Sequence, residues 1–310
     1  MKRPQAGRYR YIRGEFVIRY ADLPRNGPEP DGDTISFRPT NPDDIRSLPP
    51  MGGSSAKFNK RGITSIRFLD IDALETHFQG AHQNLEFANA ARDHLLKTLG
   101  FSDIAFYTEQ PNKIASANAD AMPGFILALG TDVHGRVLAD VFADGIQPNC
   151  LKGKNSGDRV MVETRDLDHS VNKSLLDAGL AYAELYTSTP IQIARHMANA
   201  AKAAREFQLG LWAHEAMNAH KWAALGGLAS LETLVMFPKL FRRLVSFFSE
   251  GNTDLGSFDA WIRKDPINRD DRLLLPTGEL GNMHDLFMVE GSRMRMTCNP
   301  EDVVILPDRA

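Results

Sequence analysis

The sequence predicts an α+β fold in which a small Greek-key β-barrel, with helices packed outside it, is followed by a C-terminal module. Three observations support this fold: short β-forming runs separated by turns, segments with helical spacing between them, and a change of character after about residue 216. A hydrophobic content of 43% and a charged content of 24% are ordinary for a globular protein.

Alternating apolar and polar side chains predict the strands. The alternation runs from Arg10 to Tyr20 and again from Ile63 to Ile71, which is the period of a strand with one buried face. Another strand is expected to start at Thr34. Shorter strands are predicted at residues 104–107, 125–129, 137–142 and 160–163.

Glycine marks the ends of the predicted helices. Residues 82–99, 172–178 and 191–209 are predicted to be helical, and each segment is followed directly by a glycine, the residue that most often ends a helix. Residues 39–60 are rich in Pro, Gly and Ser and predict a long loop.

The chain after the third helix differs in composition. We take residues 1–215 as one domain and residues 216–310 as a C-terminal α/β module of unknown role. An apolar, helical run at residues 221–249, broken near Pro238, is followed by β-like runs between residues 273 and 306. A segment so rich in Phe, Leu and Val is not a disordered tail. We expect it to pack within the module and against the barrel, with self-association or a protein partner as the alternatives.

The apolar run of the module also carries basic residues, namely Lys239, Arg242 and Arg243. This combination is found in membrane-surface helices and in helices that bind a partner. Core packing of the module is the favoured interpretation.

Net charge and cysteine content restrict the class of protein. A net charge of −3 gives no general attraction for nucleic acid, so any affinity for phosphate must come from local groups. Cys150 and Cys298 fit no metal or redox spacing, and two reduced thiols are favoured over a disulfide. No signal peptide is recognised and the apolar run Trp222 to Phe237 is too short to span a bilayer, so a cytoplasmic location is expected, with export by another route open.

Carboxylates and arginines recur in the predicted barrel. The first group is Asp31-Gly32-Asp33-Thr34, and Arg67, Asp72, Glu75 and Arg136 follow along the chain. Carboxylates bind hard divalent cations, and guanidinium groups bind the oxygens of a phosphate. A protein that needs both at one place is suited to cutting a phosphodiester bond.

Five segments occur in a characteristic order: DGDT, IRFLDIDALE, DVHGR, SVNKSLLDAGLAYAELY and AAREFQLGLW. In these segments the chain resembles the thermonuclease family, whose namesake is staphylococcal nuclease, over roughly residues 10–215. The resemblance implies a five-stranded OB-fold barrel that hydrolyses DNA and RNA with calcium and with little sequence preference. One departure is Leu74, which stands where the family usually has proline.

The resemblance also implies a calcium site. Asp33 and Asp72 match the carboxylates that bind the metal, and the backbone carbonyl of Ala73 matches another ligand. Asp31 matches a carboxylate that supports the site. Two carboxylates, a carbonyl and waters are sufficient for calcium, which accepts six to eight oxygens in irregular geometry.

The remaining matched residues would carry out the chemistry. Arg67 and Arg136 match the two arginines that bind phosphate, and Glu75 matches the carboxylate that positions or deprotonates the attacking water. Because Arg67 and Asp72 are an odd number of residues apart, an ideal strand would send them to opposite faces. We therefore expect a bend or a strand end near Ile71.

Each motif also has a structural interpretation. Asp31-Gly32-Asp33 is a common turn sequence, and residues 132–136 resemble a hairpin turn. Glu75 alone could be a surface carboxylate. The alternative function is therefore a barrel that binds nucleic acid or a protein partner without cutting, although such a protein has no need of Glu75.

Two tyrosines are further candidates for contact with nucleic acid. Tyr182 and Tyr186 lie four residues apart and could stack on a base or a sugar. Packing of both rings at the edge of the barrel is an equally good alternative.

Overall fold

The structure is a computed structural model that describes residues 8–306. The described chain divides into two compact units that are discontinuous in sequence. The first unit comprises residues 8–69 and 92–175, and the second comprises residues 70–91 and 176–306. Both strands and helices are present, so the predicted α+β class is confirmed.

The element bounds are as follows. The strands are β1 (Arg8–Val17), β2 (Thr34–Pro39), β3 (Thr64–Phe68), β4 (Ile71–Ala73), β5 (Ala105–Tyr107), β6 (Gln110–Ser116), β7 (Ala121–Thr131), β8 (Val137–Ala143), β9 (Arg159–Met161), β10 (Ala181–Ala183), β11 (Leu185–Tyr186), β12 (Ala223–Ala224), β13 (Arg272–Leu274), β14 (Leu280–Asn282), β15 (Phe287–Glu290), β16 (Arg293–Met296) and β17 (Val304–Leu306). The α-helices are α1 (Pro42–Arg46), α2 (Leu85–Thr98), α3 (Val171–Asp177), α4 (Ile191–Glu206), α5 (Leu228–Leu231), α6 (Pro238–Ser249) and α7 (Phe258–Arg263).

Five strands of the first unit close into a barrel. Around the ring the order is β1, β2, β3, β8 and β7, and β7 pairs again with β1. The β3–β8 pairing is parallel, and the other four are antiparallel. The predicted five-stranded barrel is therefore confirmed. Strand β9 extends the sheet by pairing with the start of β1.

Strand β1 pairs with both of its barrel neighbours because glycines allow a close approach. Gly14 faces Gly124 of β7 and also pairs with Pro39 of β2. A Cβ atom at position 14 would lie only 2.2 Å from the carbonyl oxygen of Arg38, so no other residue fits without a shift of the backbone.

Two aromatic pairs lie on opposite faces of the barrel sheet, because Phe16 pairs with Met122 and Phe125 pairs with the exposed Arg13 in the same β1–β7 ladder. The ring centroids of Phe16 and Phe37 lie 5.1 Å apart, and those of Phe125 and Phe142 are stacked at 4.8 Å. All four side chains are buried, so apolar residues pack on both faces of this part of the sheet.

The strand predicted at residues 63–71 is broken in the structure. Strand β3 ends at Phe68 and β4 begins at Ile71. Asp70 lies between them in the left-handed region, with φ of 64°. Its carboxylate accepts a 2.6 Å hydrogen bond from Thr189 Oγ1, and burial raises the pKa of Asp70 to about 7. The predicted interruption near Ile71 thus occurs one residue earlier, at a buried aspartate.

Three further elements differ from the sequence-based expectation. The predicted loop at residues 39–60 contains the short helix α1, whose Asn41 side chain accepts a hydrogen bond from the backbone N–H of Asp43. Strand β6 was not predicted. Pro238 begins helix α6 because proline suits the first helical turn, whose N–H groups have no partner within the helix.

The apolar residues after position 221 are buried in the core of the second unit. This core includes Tyr182 and Trp212 from one side of residue 216, and Phe237 and Phe241 from the other. Independent folding of residues 1–215 stays a prediction. The core contains residues from both sides of the boundary at 215/216, so this boundary divides it.

Two simpler expectations concern the cysteines and the membrane. Cys150 and Cys298 are free thiols, as predicted. Among residues 8–306 the structure contains no helix of the length and apolar character needed to cross a membrane.

Candidate functional site

The DGDT segment forms a tight turn that leads into β2. The backbone N–H of Asp31 donates to the carbonyl of Thr34 at 3.0 Å, and the Asp31 carboxylate accepts from the N–H of Gly32 at 2.8 Å. Asp33 follows in this turn and its side chain is almost fully buried. The turn therefore fixes the direction in which Asp33 leaves the backbone.

Asp33 forms an ion pair with Arg67 of β3. The strand register explains this contact, because Thr34 pairs with Arg67 and the N–H of Phe68 donates to the carbonyl of Asp33 at 2.9 Å. Thr34 Oγ1 donates to the Asp33 carboxylate at 3.1 Å. A predicted metal-binding carboxylate and a predicted phosphate-binding arginine are therefore direct partners.

Arg136 lies at the end of a hairpin turn. The Asp132 Oδ1 atom accepts hydrogen bonds of 2.9 Å from the N–H groups of both His134 and Arg136, and Arg136 Nε donates to Asp132 Oδ2 at 2.7 Å. Gly135 has a φ of 78° and its carbonyl accepts from the N–H of Lys57 at 2.9 Å. The predicted turn is present, and it holds an arginine that is one-third exposed.

The pairing of β3 with β8 also relates the position of Arg67 to that of Arg136. Arg67 pairs with Leu138 in the parallel β3–β8 ladder. Arg136 precedes Leu138 by two residues, and side chains two apart in an extended chain point to the same face. Arg136 comes directly before β8, whose first residues pair with β3 around Arg67, so the two predicted phosphate-binding residues are close in the register of these strands.

In the second unit, β4 carries Asp72 and Ala73. This short strand pairs with β10, so that Asp72 lies opposite Tyr182 and Ala73 lies opposite Ala181. The Asp72 side chain is 0% exposed. A carboxylate buried to this degree requires a cationic partner to stay ionised.

Arg242 of helix α6 supplies that partner. Its Nη1 and Nη2 atoms lie 3.0 Å from Oδ1 and Oδ2 of Asp72, a bidentate pair. The same Nη1 atom donates to Glu75 Oε1 at 2.6 Å. One guanidinium thus bridges the predicted metal ligand and the predicted general base.

Arg242 is part of a larger charge cluster within the second unit. Lys239 Nζ lies 3.4 Å from Glu184 and 3.3 Å from Asp271, while Arg243 contacts Asp271 at 2.9 Å. Burial lowers the pKa of Lys239, but Tyr186, Asp271 and Glu184 outweigh burial, so the net pKa is raised and Lys239 stays charged. Helix α6 therefore places three cations against these carboxylates.

Sequence reasoning missed Arg242 as a site residue. It is 170 residues from Asp72 in the chain, so no local motif connects the two. The available signal was the spacing of Lys239, Arg242 and Arg243, which lie three and four positions apart and so share one side of an otherwise apolar helix.

Gln83 is a second residue that the sequence did not single out. Its side-chain oxygen accepts from the N–H of Glu75 at 3.1 Å, and its own N–H donates to the carbonyl of Glu75 at 2.9 Å. The side-chain amide of Gln83 also donates to the carbonyl of Met236 at 2.8 Å. This fully buried glutamine holds the backbone that carries Glu75.

The structure corrects the expectation for Tyr182. Its side chain is 0% exposed, and its ring packs against Trp212 and Phe237 at centroid distances of 4.6 and 5.8 Å. A ring enclosed in this way has no face on which a base could stack, so packing is the correct interpretation. Tyr186 is half-buried, with Lys239 Nζ 5.8 Å from its ring centroid.

The two carboxylates predicted to bind calcium, Asp33 and Asp72, both have basic partners. Calcium prefers several oxygen ligands in one place. Within the described part of the chain, no three acidic, histidine or cysteine side chains are grouped as a metal site. Asp33 is paired with Arg67, and both oxygens of Asp72 are covered by Arg242. Each of the two predicted calcium-binding carboxylates therefore has a guanidinium partner within its own unit.

Comparison with protein families shows a match over the middle of the chain. Residues 65–214 match the family described as staphylococcal nuclease homologue. This confirms the resemblance seen in the sequence and indicates a nuclease-like or nucleic-acid-binding function. A search of the curated proteins gave no match to the chain.

Proposed function

We propose that this chain, whose residues 65–214 match the family described as staphylococcal nuclease homologue, hydrolyses phosphodiester bonds of DNA, RNA or both with little sequence preference. The observation that supports this most strongly is the register of β3 and β8, in which Arg67 pairs with Leu138, two residues after Arg136. Two guanidiniums so placed suit the oxygens of a phosphodiester.

In the proposed reaction each residue has a distinct role. Arg67 and Arg136 bind the phosphate and stabilise the negative charge that develops on its oxygens as water attacks. Glu75 accepts the proton of that water, for which its carboxylate must be ionised and released from Arg242. Gln83 is a positioning residue that fixes the backbone of Glu75.

The calcium requirement implied by the resemblance is a further part of the proposal. Its proposed ligands are Asp33, Asp72 and the carbonyl of Ala73, with Asp31 in support. Since Arg242 covers Asp72, we derive no catalytic step through a metal.

A second candidate function is binding of nucleic acid or a protein partner without cutting. The contact of Arg242 with Glu75 favours this alternative, because a carboxylate held by a guanidinium is a poor base. Self-association, or a protein partner for residues 216–310, also stays a proposal.

One experiment separates the two functions. Purified protein is incubated with single-stranded DNA and RNA, in calcium and in a chelator, and product sizes and binding are followed in parallel. Cleavage in calcium that is lost in the chelator supports the proposed nuclease. Binding of intact substrate in both conditions supports the alternative.

A further inference from the structure

We propose that the outer face of the three-stranded sheet β12–β16–β15 binds single-stranded nucleic acid, with a base against Trp222 and phosphates at Arg293 and Arg295. We call these three residues the platform. All three strands belong to the second unit. The platform goes beyond the proposed function, because it lies in residues 216–310 and its binding can be measured without cleavage.

The sheet has one buried face and one outer face. In β16, Met294 and Met296 are buried in the core of the second unit, together with Phe287 of β15. The alternate residues of β16, Arg293 and Arg295, therefore point away from that core. Burial of the inner face fixes the backbone from which both arginines project.

Trp222 lies against both arginines. Ala223 of β12 pairs with Met294, which puts the preceding residue, Trp222, opposite Arg295. The guanidinium carbons of Arg295 and Arg293 lie 5.3 and 5.7 Å from the centroid of the indole ring, which is partly exposed. Aromatic rings and guanidinium planes are the groups on which the bases of a single strand stack.

The outer face carries more positive than negative charge. Glu290 of β15 pairs with Arg293 in the ladder and accepts a 3.0 Å hydrogen bond from it, so this arginine is neutralised. Arg295 instead donates to the carbonyl of Ala219 at 2.8 Å, and it forms no ion pair with a carboxylate of the described residues. The charge of Arg295 is thus held in place and is complementary to a phosphate.

The combination of a ring and an arginine selects a single strand among anionic partners. A duplex encloses the faces of its bases in the stack, so it offers the platform only phosphates. An acidic peptide matches the charge but brings no planar group to the indole. A single strand offers a phosphate and a flat base at adjacent positions.

The test is binding of labelled oligo(dT) by the full chain in a chelator, followed by fluorescence anisotropy at several salt concentrations. We expect Trp222→Ala to bind about tenfold or more weakly than wild type, because one stacking contact is lost. The same variant should bind duplex DNA as wild type does. Arg295→Gln should also bind oligo(dT) more weakly, and the slope of log affinity against log salt should fall by about 0.7, as expected for one phosphate contact to a single strand.

The matched control is Arg263→Gln, which removes an exposed arginine of α7 and leaves the sheet intact. Its affinity and its salt slope should equal those of wild type. Any affinity contributed by Arg67 and Arg136 of the barrel is common to wild type and all these variants. The differences between them therefore report the platform alone.

Tryptophan emission gives a second readout, which does not depend on affinity. Of the three tryptophans in the chain, Trp212 and Trp261 are buried and Trp222 is partly exposed. Saturation with oligo(dT) should quench the emission of wild type but not that of Trp222→Phe. This conservative variant keeps an aromatic ring, so it also provides the test if Trp222→Ala does not fold.

Two results overturn the inference. One is wild-type affinity for oligo(dT) in both Trp222→Ala and Arg295→Gln, and the other is quenching that persists in Trp222→Phe. Binding that requires Trp222 and Arg295, without any cleavage in calcium, would support the platform and contradict the proposed nuclease. Cleavage in calcium, with both variants binding as wild type does, would contradict the platform and leave the proposed nuclease intact.

Discussion

The guanidinium of Arg242 lies 3.0 Å from each oxygen of the fully buried Asp72 carboxylate, and the two residues are 170 positions apart in the chain. Helix α6 packs against β4, which carries Asp72. The region after residue 216 is therefore part of the environment of a carboxylate predicted to bind metal. A mechanism for the activity therefore has to include the region after residue 216.

The phosphate-binding role of Arg136 leads to a first prediction. Arg136→Ala should lower turnover by about a hundredfold, the usual effect of removing one group that stabilises charge in the transition state. Because its pair with Asp132 is partly exposed, stability should fall by about 1 kcal/mol or less. The control is Arg159→Ala, which removes an exposed arginine of β9 and should leave turnover and stability unchanged. Turnover within a fewfold of wild type would place phosphate binding elsewhere.

The Cys150 thiol should be inert in the folded protein. Burial, followed by the negative charge of Asp166, raises the pKa of Cys150 to about 12, so almost none of the reactive thiolate exists at about pH 8. We expect a thiol reagent to modify Cys150 slowly at about pH 8, and rapidly after denaturation in urea. Mass spectrometry of the modified peptides reports each cysteine separately. Rapid native modification would mean that Asp166 and the surrounding apolar groups do not enclose the thiol.

A buried ion pair in the second unit leads to a stability prediction. Arg205 donates to both carboxylate oxygens of Glu301 at 2.8 and 3.0 Å, and the Glu301 side chain is 0% exposed. Glu301→Ala should lower the free energy of unfolding by about 3–5 kcal/mol, since it leaves part of a buried guanidinium unpaired. Asp302→Ala is the control. It removes a partly exposed pair with Lys202 and should cost about 1 kcal/mol or less in chemical denaturation.

The predicted domain boundary at residue 216 divides the core of the second unit. Tyr182 loses Phe237 as a packing neighbour when the chain is shortened there. We therefore expect the shortened chain to bind a hydrophobic dye and to unfold at a lower temperature than the full chain, because apolar surface is exposed.

Phe237→Ala in the full chain is a milder version of the same test. It should cost about 3–5 kcal/mol if this core is well packed. If the shortened chain is instead soluble, cooperative in unfolding and unable to bind the dye, residues 1–215 fold independently, as the sequence suggested.

The sequence alone was sufficient to predict the barrel and those parts of the site that are formed by residues close together in the chain. Alternation of apolar residues located the barrel strands, and glycines marked the ends of α2 and α3, because both signals depend on neighbours in the chain. Helix α4 ends at Glu206, before the predicted end at residue 209. The hairpin that holds Arg136 was recognisable for the same reason. The contact between Asp33 and Arg67 required the strand register, which the sequence restricts but does not state.

The tertiary structure decided which charges meet. Tyr182 proved to be a core residue because distant apolar side chains enclose it. Gln83 became a support for Glu75 through contacts made only in the folded chain. Arg242 reached Asp72 because burial of the apolar face of α6 directs its basic side toward β4. Ion pairing depends on distance in space, and no local sequence pattern encodes a contact between residues so far apart in the chain.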